Sequence, residues 1–235
     1  MKRAIVLLSG GLDSATTLYF ARSQGYRCSC LIFDYGQRHG KEIKSAKTIA
    51  RSVNCKYQII KISLPWKGSS LLDRKIKIPK LKNSTNSKQL KNNIPATYVP
   101  GRNIIFLSFA LSYAEAIKAE AIFIGAHAQD YSGYPDCRPE FYRAFNRVSS
   151  CGTKAGVEKR RIEIKVPLIN KSKAQIVRLG NRLGVPFDLT WSCYQGGKEP
   201  CGKCDSCYFR AKGFKEAGIQ DLLFGRQGKG VPIII

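Results

Sequence analysis

The chain has 235 residues, 43% of them hydrophobic, which is enough to bury a core within one domain. Forty Lys and Arg against 16 Asp and Glu give a net charge of +24, more than a small substrate requires; it suits a nucleic-acid partner, but the lysines are scattered among elements, as expected of charges spread over solvated faces. No apolar run approaches the ~18 residues of a membrane span, so a cytoplasmic protein is expected.

Met1-Lys2-Arg3 and five apolar residues superficially suggest a leader, but the run is too short and passes straight into Gly10-Gly11 and Asp13. Ala4–Leu8 reads as a buried strand, Ser9-Gly10-Gly11-Leu12-Asp13-Ser14 as a turn, and Ala15, Leu18, Tyr19 and Arg22 fall at helical spacing. Strand, glycine turn and helix point backbone N–H groups at an anion, with hydroxyl donors added by Ser9 and Ser14. The pattern is neither a Walker loop nor a dinucleotide GxGxxG. SGGLDS resembles the PP-loop of ATP pyrophosphatases, which cleave ATP between the α and β phosphates.

Further strands are predicted at Cys28–Phe33, Lys56–Ile62, Ala121–Gly125 and within Arg161–Ile169, with helices over Lys41–Val53, after Arg102 and over Ala174–Leu183. Repeated βα units predict an α/β fold: a Rossmann-like, mainly parallel sheet with helices on both faces, within a single domain over residues 1–235. Ligand sites then belong at the carboxyl ends of the strands, where Ser9–Ser14, Asp34–His39 and Ala126–Arg138 converge. There Arg38 and His39 face either a nucleotide or a plain surface turn. Residues 65–95 break the periodicity. Eight basic residues and one acid between Lys67 and Lys91 predict a basic, flexible insertion, either a solvated excursion or a lid over the site.

Four of the nine cysteines lie within residues 193–207. Cys193, Cys201, Cys204 and Cys207, the last three spaced CxxCxxC, suit a closed tetrahedral Zn²⁺ site of structural type, an iron–sulfur cluster being the other tetrathiolate choice. This zinc knuckle is expected to hold the far end of the sheet. Cys28, Cys30, Cys55 and Cys151 read as small core residues. A second cluster, Asp130-Tyr131-Ser132-Gly133-Tyr134-Pro135-Asp136-Cys137-Arg138, puts rings, carboxylates and a guanidinium on one loop. Those groups suit a purine-like base carrying an acidic group, though an aromatic surface loop has the same composition. Arg102, Lys171 and Lys173 would supply cations for departing pyrophosphate, although lysines in so basic a chain are more often simply solvated.

Taken together, SGGLDS, FDYGQRH, VPGRNIIFLSFAL, DYSGYPDCRPEF, VPLINKSKAQI and WSCYQGGKEPCGKCDSC resemble the 7-cyano-7-deazaguanine synthase family nearly end to end. The resemblance implies an ATP-dependent ligase that turns a ring carboxylate into a nitrile with ammonia, through an adenylated carboxylate and an adenylated amide, in queuosine biosynthesis. It implies ATP on Leu8, Ser9, Gly10, Gly11, Leu12, Asp13, Ser14, Ala15, Thr16, Thr17 and Leu18, with Mg²⁺ alongside. One structural Zn²⁺ is implied on Cys193, Cys201, Cys204 and Cys207. Arg102, Lys171 and Asp13 are the candidate catalytic residues, and Tyr131, Tyr134, Asp136 and Arg138 the candidate deazapurine-binding residues. The resemblance requires no nucleic acid and no membrane, and a homodimer is common in the family. The competing expectations are a PP-loop enzyme that thiolates or amidates a tRNA base, which the charge favours, and a zinc-stabilised nucleic-acid-binding module without catalysis.

Overall fold

The computed structural model describes residues 1–78, 94–127 and 133–225. Five strands form one parallel sheet: β1 (Arg3–Leu7), β2 (Arg27–Asp34), β3 (Lys56–Lys61), β4 (Ala121–Phe123) and β5 (Glu163–Lys165), in the order β3-β2-β1-β4-β5. The register pairs Leu7 with Leu31 and Val6 with both Cys30 and Phe123, which aligns the carboxyl ends of the three central strands. A parallel sheet must be covered on both faces, so its central strands are apolar throughout; Ala4, Ile5 and Val6 are fully buried.

One face packs beneath α1 (Leu12–Ser23), α2 (Lys41–Ser52), α6 (Lys173–Arg182) and α7 (Asp205–Ala217), around Leu18, Ile49, Ile176 and Phe214. The other lies beneath α3 (Arg102–Ala116) and α4 (Pro139–Cys151), around Leu31, Leu107, Ile122 and Phe145; a single turn, α5 (Lys154–Val157), follows α4. A last turn, α8, spans Leu222–Gly225. The order in which strands are added to the sheet reverses at β1, which lies between β2 and β4. The loops after β1 and β4 therefore diverge to opposite faces and leave a crevice, the usual ligand position in an open α/β sheet.

The predicted strands and helices are present within one or two residues at most ends, although β4 and β5 are shorter than expected. Helices α4 and α7 were not anticipated. Phe141, Tyr142 and Phe145 sit at helical spacing, but the aromatic density of the preceding loop masks it. Cys204 is the N-cap of α7 and Cys207 lies in its first turn, so part of the cysteine pattern is helical. Cys28 and Cys30 are buried and the half-buried Cys55 packs against the same core, whereas Cys151 is exposed and is not a core residue.

Most of the basic insertion, residues 79–93, lies outside the described residues. Its first part is packed. Ser69 and Ser70 are fully buried, and Ile78 packs against Trp191 and the cysteines. Arg38 holds this stretch by donating to the carbonyls of Ser70, Asp73 (3.0 Å) and Ile76. Its guanidinium is therefore spent on the protein's own backbone. No described helix is long and apolar enough to cross a membrane.

Candidate active site

The turn after β1 is built around Gly10, whose φ of +89° suits glycine. Its neighbours demand glycine as well: a Cβ there would lie 2.3 Å from the Glu42 carbonyl oxygen and 2.7 Å from the Ala46 nitrogen. The turn thus rests on the backbone of α2. Gly11 is the N-cap of α1 and offers no side chain to the first amides. The uncapped N-terminus of α1 is left pointing into the crevice, where an anion complements both its N–H groups and its dipole. Ser14 braces the turn: its hydroxyl donates to the Gly11 carbonyl (3.0 Å) and accepts from the Ser9 amide (3.2 Å).

Leu8, Ser9, Gly11, Asp13 and Ser14 line the cleft above the sheet. Leu12, Ala15, Thr16, Thr17 and Leu18 are buried instead and form the body of α1; the Thr16 and Thr17 hydroxyls donate to the carbonyls of Leu12 and Asp13 (each 2.9 Å).

Asp13 carries the strongest ion pair of the site. Lys173 Nζ donates to both of its carboxylate oxygens at 2.8 and 2.9 Å, and to His127 Nε2 at 2.8 Å. His127, beyond the end of β4, is 4% exposed and lies 3.6 Å from the same carboxylate. Burial alone raises the Asp13 carboxyl, but Lys173 and His127 together outweigh it and hold Asp13 well below the usual carboxylate range. Lys173 opens α6 immediately after a capping box between Ser172 and Gln175. A lysine at a helix N-terminus opposes the helix dipole, and Asp13 offsets that cost. Lys173 is further confined by α7, where a Cβ on Gly213 would lie 2.3 Å from its Cγ.

Across the cleft, Arg102 is the first residue of α3 and donates to the Tyr35 hydroxyl (3.3 Å). Burial disfavours its charge, but Tyr35, Cys137 and Asp136 hold it firmly protonated. Tyr134 also lines the cleft, its hydroxyl 2.6 Å from that of Thr97. Asp136 is buried and its Oδ2 accepts the Asn103 amide (2.9 Å), while Asn103 Nδ2 donates to the Asp136 carbonyl (3.0 Å). This carboxylate anchors the start of α3 beside Arg102 and does not line the cleft. Arg138 is exposed and Lys171 half-buried, neither lining the cleft; Tyr131 lies outside the described residues. The crevice therefore assembles Asp13, Arg102 and Tyr134 along its lining, while Lys173, the expected cation, and His127 reach it through Asp13. His127 falls in the stretch expected beyond the end of β4, but only the pairing of β1 with β4 brings its ring to Asp13.

The sulfurs of Cys193, Cys201, Cys204 and Cys207 all lie within 4.8 Å of one another. A tetrahedral Zn–S bond of about 2.3 Å places sulfurs roughly 3.8 Å apart, and the Cys201–Cys207 separation is 4.0 Å. Amides of Gln195 and Cys201 donate to the Cys193 sulfur at 3.4 and 3.3 Å, as expected around thiolates. The thiols of Cys204 and Cys207 and these amides hold Cys193 far down, towards the thiolate; Cys204 is pushed up to about 12 by its bond to Cys193. Four sulfurs gathered this closely fit a metal that accepts them all as thiolates.

This cluster does not sit at the far end of the sheet. The Trp191 amide donates to the Gly10 carbonyl (2.9 Å), its indole donates to the Cys193 carbonyl (2.8 Å), and His39 Nε2 bonds the same carbonyl (2.9 Å). Ser192, Tyr194 and Ser206 line the cleft with the glycine turn. The knuckle buttresses the anion site directly.

A parallel sheet with an SGGLDS turn at its topological switch point defines an α/β protein of the PP-loop ATP pyrophosphatase type. The structure of NMN synthetase from Francisella tularensis shares this fold, with a TM-score of 0.50 and 14% sequence identity over 93% of this chain and 78% of that one. Residues 3–218 match the family described as "Queuosine biosynthesis protein QueC", and the chain belongs to that family. Its relatives include the 7-cyano-7-deazaguanine synthase of Nostoc punctiforme, 51% identical across 94% of this chain and 98% of that protein. The 7-cyano-7-deazaguanine synthase of Picrophilus torridus is 53% identical across 94% and 90%.

Proposed function

We propose that this protein converts 7-carboxy-7-deazaguanine and ammonia to 7-cyano-7-deazaguanine at the expense of ATP. The observation that carries the proposal is the uncapped SGGLDS helix terminus, with Asp13 gripped by Lys173 and Arg102 facing it across one cleft, in a chain half-identical to synthases of this name. A carboxylate oxygen is a poor leaving group, so the ring carboxylate attacks the α-phosphorus of ATP and pyrophosphate departs. The amides at the start of α1 and the hydroxyl of Ser9 hold the phosphates, and Lys173 offsets the charge that develops. Arg102 positions the acceptor carboxylate, and Tyr134 offers its ring to the base. Ammonia displaces AMP to give the amide; activation of the amide oxygen and loss of a second AMP leave the nitrile. Mg²⁺ enters with ATP, and Asp13 is the carboxylate nearest the phosphate site. Zinc is the metal that best suits four cysteines with no open position, and its role is structural.

The net charge of +24 favours a second reading, in which the same chemistry acts on a base within tRNA. Incubation with the free base, ATP and ammonium, followed by mass spectrometry, separates the two. Nitrile formed without RNA supports the synthase; AMP release that requires tRNA supports the alternative.

A further inference from the structure

Among the described residues two carboxyl side chains line the cleft, Asp13 and Glu42, and their surroundings are opposite. Asp13 is fully engaged by Lys173 and His127. Glu42 has no hydrogen bond and no ion pair among the described residues, although it stands in the first turn of α2 and its own carbonyl lies against Gly10 of the phosphate turn. The Glu42 backbone is thereby held beside the glycine turn, while its carboxyl lines the cleft without a partner of its own. The charged and titratable groups that face it are Arg102 from α3, Tyr35 from the loop after β2 and Cys193 from the knuckle. Burial pushes Glu42 up to about 7 against the pull of Arg102.

The chemistry proposed above needs a proton sink that neither ATP nor the cations supply. Ammonia that has added to the acyl-adenylate carries a proton it must lose, and the amide nitrogen must shed its protons before a nitrile can form. We propose that Glu42 is the general base that takes these protons. In the first step the C–N bond forms and the C–O bond to the adenylate breaks, with its electron pair leaving on AMP. The proton passes from nitrogen to the Glu42 carboxylate. Asp13 is unsuited to this task, because the Lys173 ammonium bonded to both of its oxygens makes it a weak base. A pair of carboxyls driven apart in this way divides into an ionised partner for cations and a proton acceptor, and an acceptor poised near neutrality is the effective one.

This inference rests on the proposed nitrile-forming reaction, and the test keeps the two apart. If the wild-type protein forms no nitrile from the carboxylate, ATP and ammonium, the reaction itself is wrong. If it does, Glu42→Gln should keep acceptor-dependent ATP–pyrophosphate exchange within about 3-fold, because activation of the carboxylate moves no proton. Single-turnover amide formation should fall by at least ~100-fold and lose its rise with pH near neutrality. Glu42→Asp, which retains a base at a greater distance, should recover part of that rate. Amide formation unchanged in Glu42→Gln overturns the proposal. So does parallel loss of exchange and amide formation with a raised KM for the deazapurine, which would mark Glu42 as a recognition residue for the base.

Discussion

Lys173 and Asp13, 160 positions apart, meet in a two-pronged ion pair of 2.8 and 2.9 Å that ties α6 to the first turn of α1. The pair sets the charge of the phosphate site. It also fixes which carboxyl in the cleft stays ionised. Lys173→Met should lower ATP–pyrophosphate exchange by ~100-fold or more, through lost stabilisation of the leaving group. Leaving Asp13 without its partner should cost about 1–3 kcal/mol, read by urea unfolding. Exchange at the wild-type rate in this variant would remove Lys173 from the site.

Gly213 shapes the same lysine from behind, because a Cβ there would meet Lys173 Cγ at 2.3 Å and the Lys173 carbonyl carbon at 3.3 Å. Gly213→Ala should destabilise the chain by about 1–3 kcal/mol, the usual cost of overpacking. It should also raise KM for ATP while bound metal stays at the wild-type level by elemental analysis. Loss of metal together with ATP affinity would instead mean that α7 unfolds as a whole.

How much of this was legible in the chain differs from site to site. SGGLDS and the four cysteines are local patterns, so their spacing alone points to an anion site and a tetrathiolate. The Asp13–Lys173–His127 cluster is assembled by the order β2-β1-β4 and by α6 folding back, which no local window contains. Asp136 was readable as a carboxylate near the site, but not its commitment to the Asn103 amide. Arg38 was equally visible, yet its partners are the carbonyls of an insertion that composition alone marks as loose. The Trp191–Gly10 bond, which brings the knuckle to the phosphate turn, depends on backbone atoms that carry no sequence signal.

That bond makes metal and nucleotide interdependent. Cys204→Ala should lose the metal, and chelation of the wild-type protein should weaken ATP binding by calorimetry as the chain begins to unfold. A Cys204→Ala protein that stays folded with its metal bound would contradict the four-cysteine assignment.

Glu42 makes stability depend on pH in a defined direction. Its carboxyl is raised from 4.5 to about 7 in the folded chain. Well below pH 4.5 both states are protonated and the residue costs nothing. As pH rises to 7 the unfolded chain ionises first, and stability is lost, up to about 3 kcal/mol. Glu42→Gln should therefore unfold at higher urea concentration than wild type at pH 8, with the difference shrinking towards pH 5. A difference that does not change with pH would mean Glu42 is not raised.

The central claim is that the Ser9–Ser14 turn activates a deazapurine carboxylate for attack by ammonia. The most direct measurement follows 7-carboxy-7-deazaguanine with ATP, Mg²⁺ and ammonium by mass spectrometry while AMP is quantified in parallel. The claim predicts that amide appears before nitrile, and that AMP exceeds nitrile because both the carboxylate and the amide are activated. AMP formed at the same rate with and without the deazapurine, and no amide or nitrile, would contradict it.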